Sequence, residues 1–449
     1  MTLLEHGRST LGDMTTSAQW AATARLVRRA GFGASGTVVD DVVRVGASEW
    51  LKQALSADPA ADPGAAASPA PSLTVPDPLG KGATREARQA RNQQITAANG
   101  QLVTWWLQRM IAVHNPVIEK LTFGWHGHFA TSAAKVRDGA AMLHQNETLR
   151  RLGRGSFTEL ATAMVTDPAM LRWLDGTSNT VKAPNENLSR EFMELFALGH
   201  GGGYSEQDVR EGARALTGWA VGRDGAATLV AMRHDGLPKT VLGRTANLDA
   251  AGFVEVVLSQ PGSASFLATR WWQSLVSPAP PPAASLSRLV AAYGAGRDLT
   301  ALFTAILTDD HLASDAGSIV VSPIEWLVGT ARALRTPTDA ATVAKLQPVL
   351  RALGQTPFYP PSVAGWPSGQ AWLSTASAST RMEAARRLVA TADLHQVEGA
   401  PAAARIDVVA HLLGIAHLSD RTVTALRTVT QDPKQLVATA LISPEYLVN

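Results

Sequence analysis

Apolar side chains recur along this chain at the three-and-four spacing of an α-helix, and Pro, Gly and capping residues cut the runs off. From Ala18 to Arg29, Trp20, Ala21, Ala24 and Val27 share one face, and Gly31 and Gly33 close the run. Val38 to Leu55 repeats the pattern. A longer run from Arg85 carries Leu102, Trp105, Trp106, Met110 and Ile111. It stops at His114-Asn115-Pro116, because proline forces the preceding residue out of helical geometry. Pro116 then suits the first turn of the next helix. The same reading places helices at Gly139 to Leu152, Ser156 to Val165, Asn187 to Leu198 and Ser205 to Leu216. In the last of these, Ser205 and Asp208 stand as a cap pair and Glu206 suits the positive helix end. Helical texture resumes at Ala250 and runs to the C-terminus, broken by Pro-rich 278–282 and by a Pro/Gly/Trp-rich insert at 357–372. Between these parts, Ala227 to Met232 and Thr240 to Leu242 flank the turn His234-Asp235-Gly236. The expected fold is therefore all-α, a multi-helix globular array with a small β-hairpin or irregular excursion near 227–243.

With 45% hydrophobic and 17% charged residues, the chain has ample material for a buried core, which excludes wholesale disorder. Asp58 to Gly80 is rich in Ala, Pro, Asp and Ser. It reads as a loop or linker, 58–80, between an N-terminal helical segment, 1–57, and a main helical domain, 81–449, whose one candidate division lies near 276–285. Forty Lys and Arg against 38 Asp and Glu leave a net charge of +2, with the basic residues dispersed, so no nucleic-acid partner is expected. The chain has no Cys, which excludes disulfides, iron–sulfur clusters, thiolate zinc sites and a cysteine nucleophile. Any metal would need nitrogen or oxygen ligands. No continuous apolar stretch at the N-terminus reads as a secretory signal, and no run approaches the roughly 18 apolar residues of a membrane span. A soluble, cytoplasmic protein is the default expectation, with export beside a signal-bearing partner as the alternative.

Two stretches concentrate polar groups among apolar neighbours. In HNPVIEKLTFGWHGHF, residues 114–129, Glu119 and His126 are seven apart and share one face of the helix that begins at Pro116. His128 joins them only if the helix unwinds, which Gly124 and Gly127 make easy. Imidazole and carboxylate together suit a divalent ion such as zinc, iron or manganese, and equally suit proton transfer. The same residues also suit a hydrogen-bonded helix junction. In PNENLSREFMELFALG, residues 184–199, Glu191 and Glu194 share a face beside an apolar stripe, and Arg190 is spaced to pair with Glu194. Asn185 and Asn187 are helix caps. Gly199 with Gly201-Gly202-Gly203 reads as a helix stop and turn, because the chain lacks GxxxxGK[ST]. GxSxG is also missing. Most of the tryptophans sit beside Leu and Phe, which favours core packing.

Seven separated blocks carry a family resemblance: EKLTFGWHGHFATS (119–132), DPAMLRWLDG (167–176), PNENLSREFMELFALG (184–199), YSEQDVREGARALTGW (204–219), HDGLPKTVLG (234–243), SPIEW (322–326) and PPSVAGWPSGQAWLSTAS (360–377). In this order they resemble the bacterial domain-of-unknown-function 1800 family, over about residues 20–447. The family has no firmly established general activity. The resemblance implies a largely helical protein and a sulfatase-like partner of the domain-of-unknown-function 1501 family. It also places Trp125, His126, His128, Asn185, Glu186, Asn187, Arg190, Glu191, Glu194, Arg214, Trp219, His234, Asp235 and Lys239 at motif positions. This sequence departs from the family pattern in having Gly124 and Gly127 where a bulky and a polar residue are usual.

The expected site is a pocket between the 119–128 segment and the 186–194 helix. His126, His128, Glu191 and Glu194 are its catalytic residues and, in the sharper form, its divalent-metal ligands. Arg190, Arg214 and Lys239 would hold an anionic substrate group, with Trp125, Trp219, His234 and Asp235 beside it. Asn185, Glu186, Asn187 and Glu119 would support the site. The competing expectation is a non-catalytic scaffold for the sulfatase-like partner.

Overall fold

The computed structural model describes residues 18–74, 76, 79–314 and 319–448. Helices dominate it, and its strands are confined to two short antiparallel pairs. The apolar side chains gather into two large cores. One takes residues from helices Gly139–Leu152, Phe157–Val165, Ala250–Leu258, Pro261–Leu275 and Leu299–Leu307. The other takes residues from Arg85–Ala112, Pro323–Ala333, Thr375–Ala390 and Pro433–Ala440.

Helix Pro116–His128 is the wall between the two cores. Its Leu121 and Trp125 enter the first core, and Phe123 enters the second. A helix flanked by cores on both sides is buried nearly all round, polar residues included. Asn115 caps it by accepting from the Val117 N–H, and Pro116 begins it. Gly124 permits the close packing that follows: a Cβ there would lie 2.4 Å from Cη2 of Trp271. An indole from another helix fills the space that a side chain here would take. Gly127 is approached from the far side, where a Cβ on Gly365 would meet the Gly127 carbonyl at 2.6 Å.

The expected helices at Gly139–Leu152 and after Ser156 and Ser205 are present, and Ser205 with Asp208 closes a reciprocal capping box. Three local details go beyond the sequence reading. The run from Val38 to Leu55 is two helices, Gly36–Val45 and Ala47–Ser56, broken at Gly46, whose φ of 95° only glycine adopts freely. The 116–128 helix does not unwind before His128. The excursion is two hairpins rather than one: β1 (Trp219–Val221) pairs with β2 (Ala227–Leu229), and β3 (Lys239–Val241) pairs with β4 (Arg244–Ala246). Leu242 and Gly243, with φ of 48° and 80°, make the tight turn of the second hairpin, and Asp208 accepts the Leu242 N–H. His234-Asp235-Gly236 links the hairpins.

The described part of the 58–80 stretch lies on the helical body. The Asp62 carboxylate accepts from the N–H groups of Gly64, Ala65, His114 and Asn115. Trp105 donates to the Ser68 carbonyl and Arg109 to that of Pro59. Among the described residues, no helix is long and apolar enough to cross a membrane.

Candidate functional site

Glu119 and His126 do share a helix face, and what they meet there is the indole of Trp106. Glu119 is fully buried. Its Oε1 accepts from Arg109 at 2.6 Å and Arg150 at 2.7 Å, and its Oε2 accepts from Arg150 and Trp106, both at 2.8 Å. Burial alone would raise its pKa, but Arg150 and then Arg109 outweigh that and hold it at about 2. This carboxylate has no free lone pair for substrate. It locks three helix segments together.

His126 lies edge-on to Trp106 and packs against Phe358 and Trp366. Its Nε2 accepts the Phe358 N–H at 3.0 Å, which fixes the proton on Nδ1. Phe358 stands at φ 66°, a strained setting for a bulky residue, and the His126 bond helps to hold it there. Burial pushes the His126 pKa down to about 3, so the ring is neutral. His128 reaches the opposite core, because residues two apart on a helix point some 200° apart. It packs among Trp125, Phe129, Phe157 and Phe196. Its Nε2–H donates to the Phe196 carbonyl at 3.0 Å, and its buried Nδ1 has no partner among the described residues. Burial, and then the nearby Arg270 charge, keep this ring neutral too.

The carbonyl that His128 caps belongs to an unusual turn. Helix Asn187–Glu191 continues as a π-helical turn, Phe192–Ala197, in which the Leu198 N–H donates five residues back to Met193. Such turns occur preferentially at functional sites. Glu191 precedes this turn and Glu194 lies within it, both half-buried. Burial, and then the Glu194 charge, push the Glu191 pKa up against the pull of Arg190. Glu194 does not pair with Arg190 as its spacing suggested. Arg190 turns to Glu206, at 2.7 and 2.8 Å, and to Glu186 at 2.9 Å. Glu194 instead meets His200 Nδ1 at 2.6 Å and accepts from the Tyr204 hydroxyl at 3.3 Å. Asn185 accepts from the Asn187 N–H, as a cap does, and Asn187 reaches Asp175.

Arg214, Asp235 and Lys239 satisfy one another and the backbone. Arg214 bonds to Asp235 and Glu211, both at 2.7 Å. Lys239 is fully buried and donates to the carbonyls of Asp235 and Leu248 and to Asn247. The His234 Nδ1 lies 2.9 Å from the Thr217 carbonyl. Trp219 packs half-buried at the edge of the first core. These residues fasten the two hairpins to helix Glu206–Ala215, and carboxylates or carbonyls partner Arg190, Arg214 and Lys239 alike.

The expected metal site is also corrected. His126 and His128 point into different cores, and each gives its Nε2 to the backbone. Among the described residues, no three His, Asp or Glu side chains gather in a way that would hold a metal ion. The donor set does not fit.

What remains open is a pocket of about 450 Å³ where Leu198, Gly199 and His200 face Gly262, Ser265, Phe266, Thr269, Arg270 and Gln273 of helix Pro261–Leu275. Gly199, at φ 84°, lets the chain lie against this helix, since a Cβ there would be 2.9 Å from the Phe266 ring. His200, and through it Glu194, stands at the rim. Arg270 lines the wall, and burial lowers its pKa. No residue described here gives its guanidinium a hydrogen bond or an ion pair. The sequence reading passed over both Arg270 and His200, although Arg270 is the only charge in a helix that reads PGSASFLATRWWQSL. A lone arginine in an otherwise uncharged helix was the available signal.

A family model described as "Protein of unknown function (DUF1800)" matches residues 25–448. The chain belongs to the DUF1800 family. No curated protein and no solved structure matches it. The match runs through both cores and every block named above, so membership covers the whole helical body and brings no activity with it.

Proposed function

We propose that this DUF1800 chain is an enzyme-like protein that takes an anionic substrate group into the 198–200/262–273 pocket. There Arg270 binds the anion, and the Glu194–His200 pair moves a proton at the rim. The observation that carries the reading is the unpartnered Arg270. Leaving a partly buried cation uncompensated costs stability, and an anion that pairs with it returns that cost as binding energy. A carboxylate on the imidazole Nδ1 orients the ring for proton transfer. Tyr204 holds the other carboxylate oxygen and fixes the orientation of Glu194.

The test is thermal unfolding of the full chain in inorganic phosphate, and separately in acetate, at constant ionic strength. A saturable rise in Tm, about 2.7 kcal/mol of stabilisation at 100 times Kd, is expected for the natural sequence and not for Arg270→Gln. Glu194→Gln should keep the response, since it alters proton transfer rather than the anion contact. Equal behaviour of the natural sequence and Arg270→Gln would remove the reading.

A second reading, a scaffold for a sulfatase-like partner, is favoured by one observation. Val181, Leu229, Met232 and Leu237 are exposed on the hairpin region and the segment bonded to it, Met232 by 91%. Exposed apolar groups of this kind mark interaction surfaces. Loss of copurification with such a partner in a Met232→Glu, Leu237→Glu double variant, with phosphate stabilisation intact, would select it.

A further inference from the structure

One wall of the Arg270 pocket is a face of helix Pro261–Leu275, and helix geometry fixes the order of its side chains. Phe266 and Arg270 are four residues apart, as are Ser265, Thr269 and Gln273 in turn, so the two sets form neighbouring rows that both line the pocket. Each step along a row is about 6 Å. The other side of the helix carries Leu267, Ala268, Trp271, Trp272 and Leu275 into the first core, which holds this wall in place. In the first row, burial lowers the Arg270 pKa and no described carboxylate counters it.

The second row is polar and unspent. Hydroxyls inside helices commonly turn back on their own backbone, and in this chain Thr104, Thr122, Thr304 and Thr308 each donate to the carbonyl four residues earlier. Ser265 and Thr269 are half-buried and make no hydrogen bond to any described residue. Gln273 gives its amide N–H to the Pro278 carbonyl at 3.3 Å, and its Oε1 has no partner among the described residues. The volume of about 450 Å³ lies within the range of small-molecule sites, roughly 300–1,000 Å³, so an inorganic anion on Arg270 would leave most of the space to water. An anion with a bare alkyl body would cover Ser265 and Thr269 without giving them a partner, which carries the penalty of unsatisfied polar groups. A ligand hydroxyl both donates and accepts, as the side chains of this row do.

From these two rows we infer that the ligand of the pocket is a polyhydroxylated organic acid, with its acid group on Arg270 and its hydroxyls along Ser265 and Thr269. The inference rests on the anion reading above and adds the body of the ligand to it. The C–H surface of such a body meets Phe266 and Leu198, the apolar side chains of the lining. A neutral polyol would leave Arg270 without a counter-charge, and an acid without hydroxyls would leave the second row without partners.

The probes are gluconate and the phosphate ester of sorbitol, which carry the two kinds of acid group on a hydroxylated chain. Hexanoate, which lacks the hydroxyls, and sorbitol, which lacks the charge, are the comparisons. Each is titrated calorimetrically into the full chain. At least one hydroxylated acid should bind saturably, about tenfold or more tighter than hexanoate and sorbitol, and the tighter of the two identifies the acid group. The Ser265→Ala, Thr269→Val double variant should weaken that acid about tenfold and inorganic phosphate by less, with unchanged helix content by circular dichroism. Equal affinity for hexanoate or for sorbitol overturns the inference, as does a double variant that binds the acid as tightly as the natural sequence. A Tm response to inorganic phosphate without saturable binding of either hydroxylated acid overturns this inference alone. Loss of the phosphate response overturns the anion reading beneath it as well.

Discussion

Replacing Glu119 by Gln removes one negative charge from between Arg109 and Arg150 while keeping the shape of the side chain. Both guanidiniums are buried, with 10% and 2% of their side chains accessible, and Glu119 has 1%, so solvent screens the network little. Two routes give the size of the loss. The carboxyl is held at about 2 instead of 4.5, and at about 1.4 kcal/mol per pH unit the folded state gains about 3 kcal/mol from the ionised form. Independently, breaking a buried ion pair by removing one partner costs about 3–5 kcal/mol. Urea unfolding at pH 7 should therefore show Glu119→Gln less stable by about 3 kcal/mol, with an unchanged m-value. The pH dependence supplies a second check. Because the folded-state pKa is depressed, the stabilisation is complete above about pH 4.5 and is lost as pH falls toward 2, so the gap between the two proteins should close over that interval. A loss below about 1 kcal/mol at pH 7, or a gap indifferent to pH, would show that the network does not act as argued.

His126 titrates at about 3 in the folded chain and near 6.5 when unfolded, so stability should fall as pH drops from 6.5 toward 3, by up to about 1.4 kcal/mol per pH unit. His126→Gln keeps an acceptor for the Phe358 N–H, and its unfolding midpoint should decline less steeply between pH 6.5 and 4. Gly124→Ala drives a methyl into Trp271 and should cost about 1–3 kcal/mol by thermal or urea unfolding. Arg190→Ala removes ion pairs to Glu186 and Glu206 whose groups are substantially exposed, and should cost less than about 1 kcal/mol in the same assay.

What the sequence determined by itself is local. Ser205 with Asp208, Pro116 at the start of a helix, and the stop at Gly199 were legible because a cap, a proline or a left-handed glycine acts on backbone within a few residues. The all-α character followed from periodicity for the same reason, and the seven motif blocks led correctly to the DUF1800 family. Glu119 and His126 were rightly read onto one helix face. Their tasks were not legible, because those tasks depend on groups far along the chain. Arg150 is 31 residues from Glu119, and the Phe358 N–H is 232 residues from His126. Tertiary packing also decided that Arg190, Arg214 and Lys239 are saturated while Arg270 is not. The underlying reason is electrostatic: the role of a charged or titratable side chain depends on the charge, hydrogen bonding and solvent that the fold brings against it, whereas a helix cap carries its partner in its own sequence.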